Sequence, residues 1–232
     1  MLLPADPANW NLMAMNRGLS LFGSVPGHLL TEVWPSRGNM ARLRPALARV
    51  FAHNVRWACA PPTREATLGD ILVLEGLAAT FVATVCPDAR DEPWLVPFRQ
   101  ADDWPDALAA VAHLYGVATF DAIGFNVYGA RYTAGLPWPL AARSLATDEL
   151  AYARDLIGAA LETTIPSRIA AYLYGDEVVG AHGHPTVGLP PYAGFEVGYH
   201  LVQAYLRRTS RSVAQAMATT STEILAEAPA IA

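Results

Sequence analysis

From Thr67 to Val85 the chain reads TLGDILVLEGLAATFVATV, and this run constrains the fold more than any other. Thr67 can cap a helix here, and Asp70 sits at its third helical position, where a carboxylate suits the helix dipole. Beyond it Ile71, Leu72, Val73, Leu74, Leu77, Ala78, Phe81 and Val82 leave no polar face. A helix apolar almost all round belongs in the centre of a domain. Glu75 interrupts that surface, and a carboxylate in such a helix needs a metal, an arginine or a proton as partner.

The segment before it supplies the candidates. PALARVFAHNVRW places Leu47, Phe51 and Val55 at helical spacing, and a break through Pro61, Pro62, Arg64 and Glu65 separates it from the apolar helix. Asn39 is the expected N-cap of a helix running to about Ala58. Pro45 is awkward inside that helix, or else marks its true first turn, with Leu43 and Arg44 outside. Arg49 and His53, four residues apart, share one face of it. Arg49, His53 and Glu75 are the trio on which a functional reading turns.

At 232 residues with 53% hydrophobic and 16% charged residues, the chain is expected to form a compact globule, read as a single domain over 1–232. A net charge of -5 and the lack of a basic cluster argue against nucleic acid as a partner. All basic residues are arginine, none lysine, which reads as codon bias. Cys59 and Cys86 cannot make a disulfide framework, so a cytoplasmic chain is expected. No signal peptide is read at the N-terminus, and no uninterrupted apolar run long enough for a membrane span, Ile71–Cys86 being broken by Glu75 and Gly76.

Elsewhere, Leu19–Phe22 and His28–Val33 read as two strands with a tight connection. Asp103 or Trp104 opens a short helix to about Tyr115, and Thr119–Pro139 reads as loop. Thr147 and Asp148 cap a helix to about Thr164, and Pro166 opens one through Tyr172. Gly175–Pro191 reads as loop, and Gly194 to about Leu206 as helix. Ser210 and Ser221 are expected caps of two short terminal helices.

Four segments together resemble a known family: GLSLFGSVPGHLLTEVWPS, PALARVFAHNVRW, TLGDILVLEGLAATF and YGDEVVG…GLPPYAGFEVGYHLVQAYL. The chain resembles bacterial predicted zinc-dependent proteases that carry an HExxH motif. The resemblance implies a mainly helical, zincin-like α+β domain with a small β-sheet. It also implies a zinc site made by the two motif histidines and the glutamate of the EGLA segment, with the motif glutamate as general base. His53 matches the second histidine and Glu75 the third ligand. Arg49 stands where the first histidine would be, and Val50 where the general base would be. Valine accepts no proton and arginine binds no Zn²⁺. Arg49 instead supplies a permanent positive charge near the vacated place, able to fork onto Glu75.

The expected function is therefore a repurposed, metal-independent enzyme acting on a small molecule by acid/base chemistry: condensation, cyclisation or elimination, as in specialised metabolism. Glu75 is the expected acid/base group, assisted by His53, His200 and Tyr199. Arg49, Arg56 and Tyr192 are the expected substrate contacts. No metal or other cofactor is expected. The expected partner is a small molecule, anionic where Arg49 anchors it, with self-association left open. Two alternatives stand beside this reading. One is a pseudoprotease that binds a peptide or small ligand without chemistry. The other is an active zinc peptidase with an unusual ligand set drawn from His182, His184 or His200. His182 and His184, downstream of Asp176 and Glu177, have a spacing that can chelate a metal, but one H-x-H in a glycine-rich loop is a weak signal.

Overall fold

The computed structural model describes residues 2–4, 18–23, 25–61, 65–96, 143–181 and 183–228. The expected helix from Asp103 or Trp104, the loop Thr119–Pro139, and His182 lie outside them. The fold is mainly helical with a small sheet. Strands β1 (Leu2–Pro4), β2 (Leu19–Phe22) and β3 (Leu30–Val33) form a sheet of order β1-β3-β2. β2 runs antiparallel to β3 with Leu19 opposite Val33, as hairpin partners do, and β1, not foreseen from sequence, pairs parallel to β3.

Helix α1 spans Arg37–Cys59 and α2 spans Leu68–Val85. Ser36, not Asn39, caps α1: its hydroxyl accepts from the Asn39 amide at 3.1 Å. Asn39 is the first-turn residue instead, fully buried, its side-chain amide donating to the Trp34 carbonyl. Pro45 lies well inside α1, not at its start. Proline removes one ladder bond there, a change that costs about 3 kcal/mol in a helix interior. The helix continues because both ends are anchored: the Ser36 cap holds its start, and its later turns pack on α2.

At α2 the capping reading holds: Thr67 and Asp70 exchange side-chain and backbone bonds. Two other first-turn amides, of Leu68 and Gly69, donate to the carbonyls of Thr163 and Leu161. Helix α3 (Thr147–Gly158) ends before Thr164, residues 159–162 continuing as turns that bring those carbonyls to the start of α2. Ala146 is its N-cap residue, where Glu149 accepts from the Ala146 amide. At the other end of α2, Arg44 donates to the Val85 carbonyl, placing a cation on the C-terminal dipole.

Helix α4 (Pro166–Tyr174) starts on proline as expected. A short helix α5 (Asp176–Ala181) occupies part of the stretch read as loop. Helix α6 spans Ala193–Thr209. The terminal helices α7 (Val213–Ala216) and α8 (Ser221–Glu227) are capped by Ser212 and Thr220, so Ser210 and Ser221 were displaced by one or two positions in the sequence reading.

α2 is the centre because it has apolar residues for two cores. Leu68 and Leu72 join Trp94, Ile157, Leu173 and Phe195 on one side. Val73, Leu77 and Ala78 join Leu201, Val202, Tyr205, Met217 and Ile224 on the other. Leu72 and Leu77 are fully buried, and truncating either to alanine would cost about 2–5 kcal/mol. Among the described residues α2 is also the one helix long and apolar enough to cross a membrane, and 61% of it is buried inside the fold.

Candidate functional site

Arg49 and His53 stand one turn apart on α1 and face Glu75 on α2. Arg49 Nη2 donates to Glu75 Oε2 at 2.5 Å, and His53 Nε2 lies 3.2 Å from the same oxygen. Side-chain exposure is 18% for Arg49, 17% for His53 and 12% for Glu75, so each side chain is largely buried but reaches the surface. Burial alone would push the Glu75 carboxyl up. The Arg49 charge and the His53 ring outweigh it and bring the carboxyl down to about 2. Glu75 is thus a fixed carboxylate and a weak base near neutrality.

Two aromatic rings flank the trio. The Arg49 guanidinium carbon lies 5.7 Å from the Phe195 ring centroid, and Tyr174 meets Phe195 edge-on at 5.2 Å. Burial raises the Tyr174 hydroxyl pKa, the Glu75 charge adds to this, and Arg49 opposes it. Tyr174, at the end of α4, was missed from sequence. Its place follows from Tyr192, whose amide donates to the Tyr174 carbonyl at 2.9 Å just before α6 begins. Tyr192 itself is 2% exposed and left-handed at φ 62°, a conformation that costs a non-glycine residue on the order of 1–3 kcal/mol. Its side chain belongs to the core, so it serves the site by placing the chain rather than by touching substrate.

Three other expected site residues are turned elsewhere. Arg56 is 5% exposed; its Nη1 donates to the carbonyls of Met217 and Thr219 and its Nη2 to Ser221 Oγ. Those bonds make it a clamp on the C-terminal segment rather than a substrate anchor, and burial lowers its pKa. Tyr199 and His200 gather at Trp94, with ring centroids 4.8 and 5.7 Å from it. His200 Nε2 is 3.7 Å from Glu196, whose other oxygen accepts from the Leu145 amide. This second cluster is built on Trp94 and Glu196, which are no part of the Arg49, His53 and Glu75 trio. Asp176, upstream of the H-x-H, accepts from the amides of Val187 and Gly188 and is a loop fastener.

Asn54, beside His53, was also missed. Its amide nitrogen donates to the carbonyls of Gly23, Val25 and His28, and its oxygen accepts from Gly27. A buried asparagine in mid-helix is the one signal that could have found it. It fastens the β2–β3 connection over α1. There Val50 closes against Gly23, where an added Cβ would stand 2.3 Å from Val50 Cγ1.

A family model described as predicted Zn-dependent protease (DUF2268) matches residues 1–137 and 125–226. The chain belongs to this family. A curated relative, the uncharacterized protein YjfC of Bacillus subtilis (strain 168), is 25% identical over 213 residues, covering 91% of this chain and 54% of its own length. The chain thus spans about half the length of that relative. No solved structure matches.

The zinc that the family's description implies does not fit the residues here. Glu75 Oε2 already receives Arg49 Nη2 and lies beside His53 Nε2. A cationic guanidinium repels a dication and offers no lone pair. Val50, packed with a methyl group against Gly23, has no atom that could serve as a base. Among the described residues no group of three or more His, Cys, Asp or Glu side chains could hold a metal ion.

Proposed function

We propose that this member of the family is a metal-independent enzyme that binds a small molecule by an anionic group at Arg49 and moves a proton through His53. The observation that carries the reading is the convergence of Arg49 and His53 on one oxygen of Glu75. Glu75, held ionised, orients the imidazole rather than accepting the substrate proton. With the carboxylate as acceptor, Nε2 carries the ring hydrogen and Nδ1 is left as the basic nitrogen. A histidine so oriented can take a proton from one substrate atom and return it to another, which is what condensation, cyclisation or elimination requires. Arg49 keeps two nitrogens beyond the one on Glu75 for a carboxylate or a related anion.

The test is to incubate the purified chain with a library of carboxylate-bearing metabolites and follow their consumption by mass spectrometry. Turnover should survive a chelator and vanish in His53→Gln. Turnover lost to the chelator and restored by zinc would sink the reading. The paired state of Glu75 also supports a second reading, a binding protein without chemistry. Saturable binding with no consumption of the bound compound would favour that one.

A further inference from the structure

The Arg49–Glu75 pair makes a single contact rather than a two-pronged fork. Both hydrogen-bond partners of the carboxylate fall on Oε2, and Arg49 uses Nη2 alone. Among the described residues Glu75 Oε1 and the Arg49 Nε and Nη1 groups are left without protein partners, on side chains that keep 12% and 18% exposure. One open acceptor and one open pair of donors therefore stand side by side, separated by a single hydrogen bond. A ligand that satisfies both must carry a donor and an anion close together.

Charge narrows the class. The Arg49 and Glu75 charges sum to zero. A bare carboxylate on Arg49 would leave a net negative charge in a half-buried site, and a bare amine on Glu75 a net positive one. Either is costly where water is scarce. A zwitterion adds neither. Phe195 links the pair to Tyr174: its ring lies 5.7 Å from the Arg49 guanidinium carbon and meets the ring of Tyr174, a residue 36% exposed, edge-on. That is an apolar wall beside a polar fork.

Resting on the reading above that Arg49 anchors an anion, we propose that this pocket recognises a free α-amino acid with an apolar side chain. Its carboxylate sits on Arg49, its ammonium on Glu75 Oε1 and its side chain against Tyr174. The two charged groups of an α-amino acid flank a single carbon, so one small ligand can reach both members of the pair.

The test is calorimetric titration of the full chain with L-phenylalanine, 3-phenylpropanoate and 2-phenylethylamine, with leucine and its two truncated analogues run in parallel. The amino acid should bind at least tenfold more tightly than either analogue. Arg49→Met should bring it down to the level of the amine, and Glu75→Gln to the level of the acid, each variant first checked for a cooperative thermal transition. If a variant does not fold, the comparison of the three ligands on the unaltered chain decides alone. An acid that binds as tightly as the amino acid overturns the zwitterion inference and leaves the anion pocket standing. An amine that binds as tightly, or no binding by any compound at millimolar concentration, overturns both.

Discussion

Gly76 of α2 and Gly198 of α6 meet backbone to backbone: a Cβ on Gly76 would stand 2.1 Å from the Gly198 carbonyl oxygen. The contact is reciprocal, since a Cβ on Gly198 would stand 2.6 Å from the Leu72 carbonyl oxygen. This close crossing brings α6 in beside Glu75, the neighbour of Gly76, and with it Phe195 to the guanidinium of Arg49. The site depends on two absent side chains as much as on three present ones.

Gly76→Ala should therefore be severely destabilising. Backbone cannot swing aside as a long side chain can, so the helices must separate, at a cost of about 3 kcal/mol or more. Gly180→Ala in α5, where the nearest atom to a new Cβ is 3.8 Å away, should be neutral or slightly stabilising. Urea denaturation of both variants checks the contrast; equal stabilities would refute the crossing.

Arg49→Met leaves the Glu75 carboxylate half-buried without its strongest partner. Stability near neutral pH should fall by about 3 kcal/mol, the low end for breaking a buried pair. The Glu75 carboxyl should rise from about 2, because the Arg49 charge is the larger of the two influences holding it down. Adding Glu75→Gln should recover part of the loss, since the uncompensated charge is then gone. A carboxyl-resolved NMR titration and a double-mutant cycle measure these effects.

Acid should remove the same contribution in a defined window. The Glu75 carboxyl is depressed in the folded chain, so the folded state binds its proton less readily than the unfolded state. Its stabilisation is present in full above the ordinary value of 4.5 and disappears as pH falls toward about 2. The loss is on the order of 3 kcal/mol. Unfolding free energies measured from pH 6 to pH 2 should slope more steeply for the natural chain than for Glu75→Gln; parallel curves would count against the pairing.

Protein purified without chelator and without a metal-binding tag should hold no stoichiometric zinc by elemental analysis, and a chelator should not move its melting temperature. One zinc per chain would overturn the argument from Arg49 and Val50.

Arg56→Met should destabilise the chain by about 2–4 kcal/mol, because the carbonyls of Met217 and Thr219 lose a charged donor in a buried place. Ligand affinity at the Arg49 pocket should stay within about twofold, well under the tenfold that 1.4 kcal/mol would bring. A large loss of affinity without loss of stability would instead restore Arg56 to the binding site.

Much of this was legible in the chain. The apolar run after Thr67 determined a central helix, and Asp70 determined how it starts, since both act within one turn. The four-residue spacing of Arg49 and His53 placed them on one face, and a carboxylate within the apolar helix required a partner. Local periodicity and local capping carry that information. Tertiary structure decided the rest. That both donors meet one oxygen, leaving the other open, depends on the distance between α1 and α2. The first amides of α2 found the Leu161 and Thr163 carbonyls, partners far along the chain. Pro45 stayed inside α1 because the cap and the later packing outweigh one missing bond. Arg56 turned to the C-terminal segment and Tyr199 and His200 turned to Trp94, partners far away in sequence. Such choices are made by the competition for buried hydrogen bonds and contacts after the helices have packed, and no spacing within a single helix records its outcome.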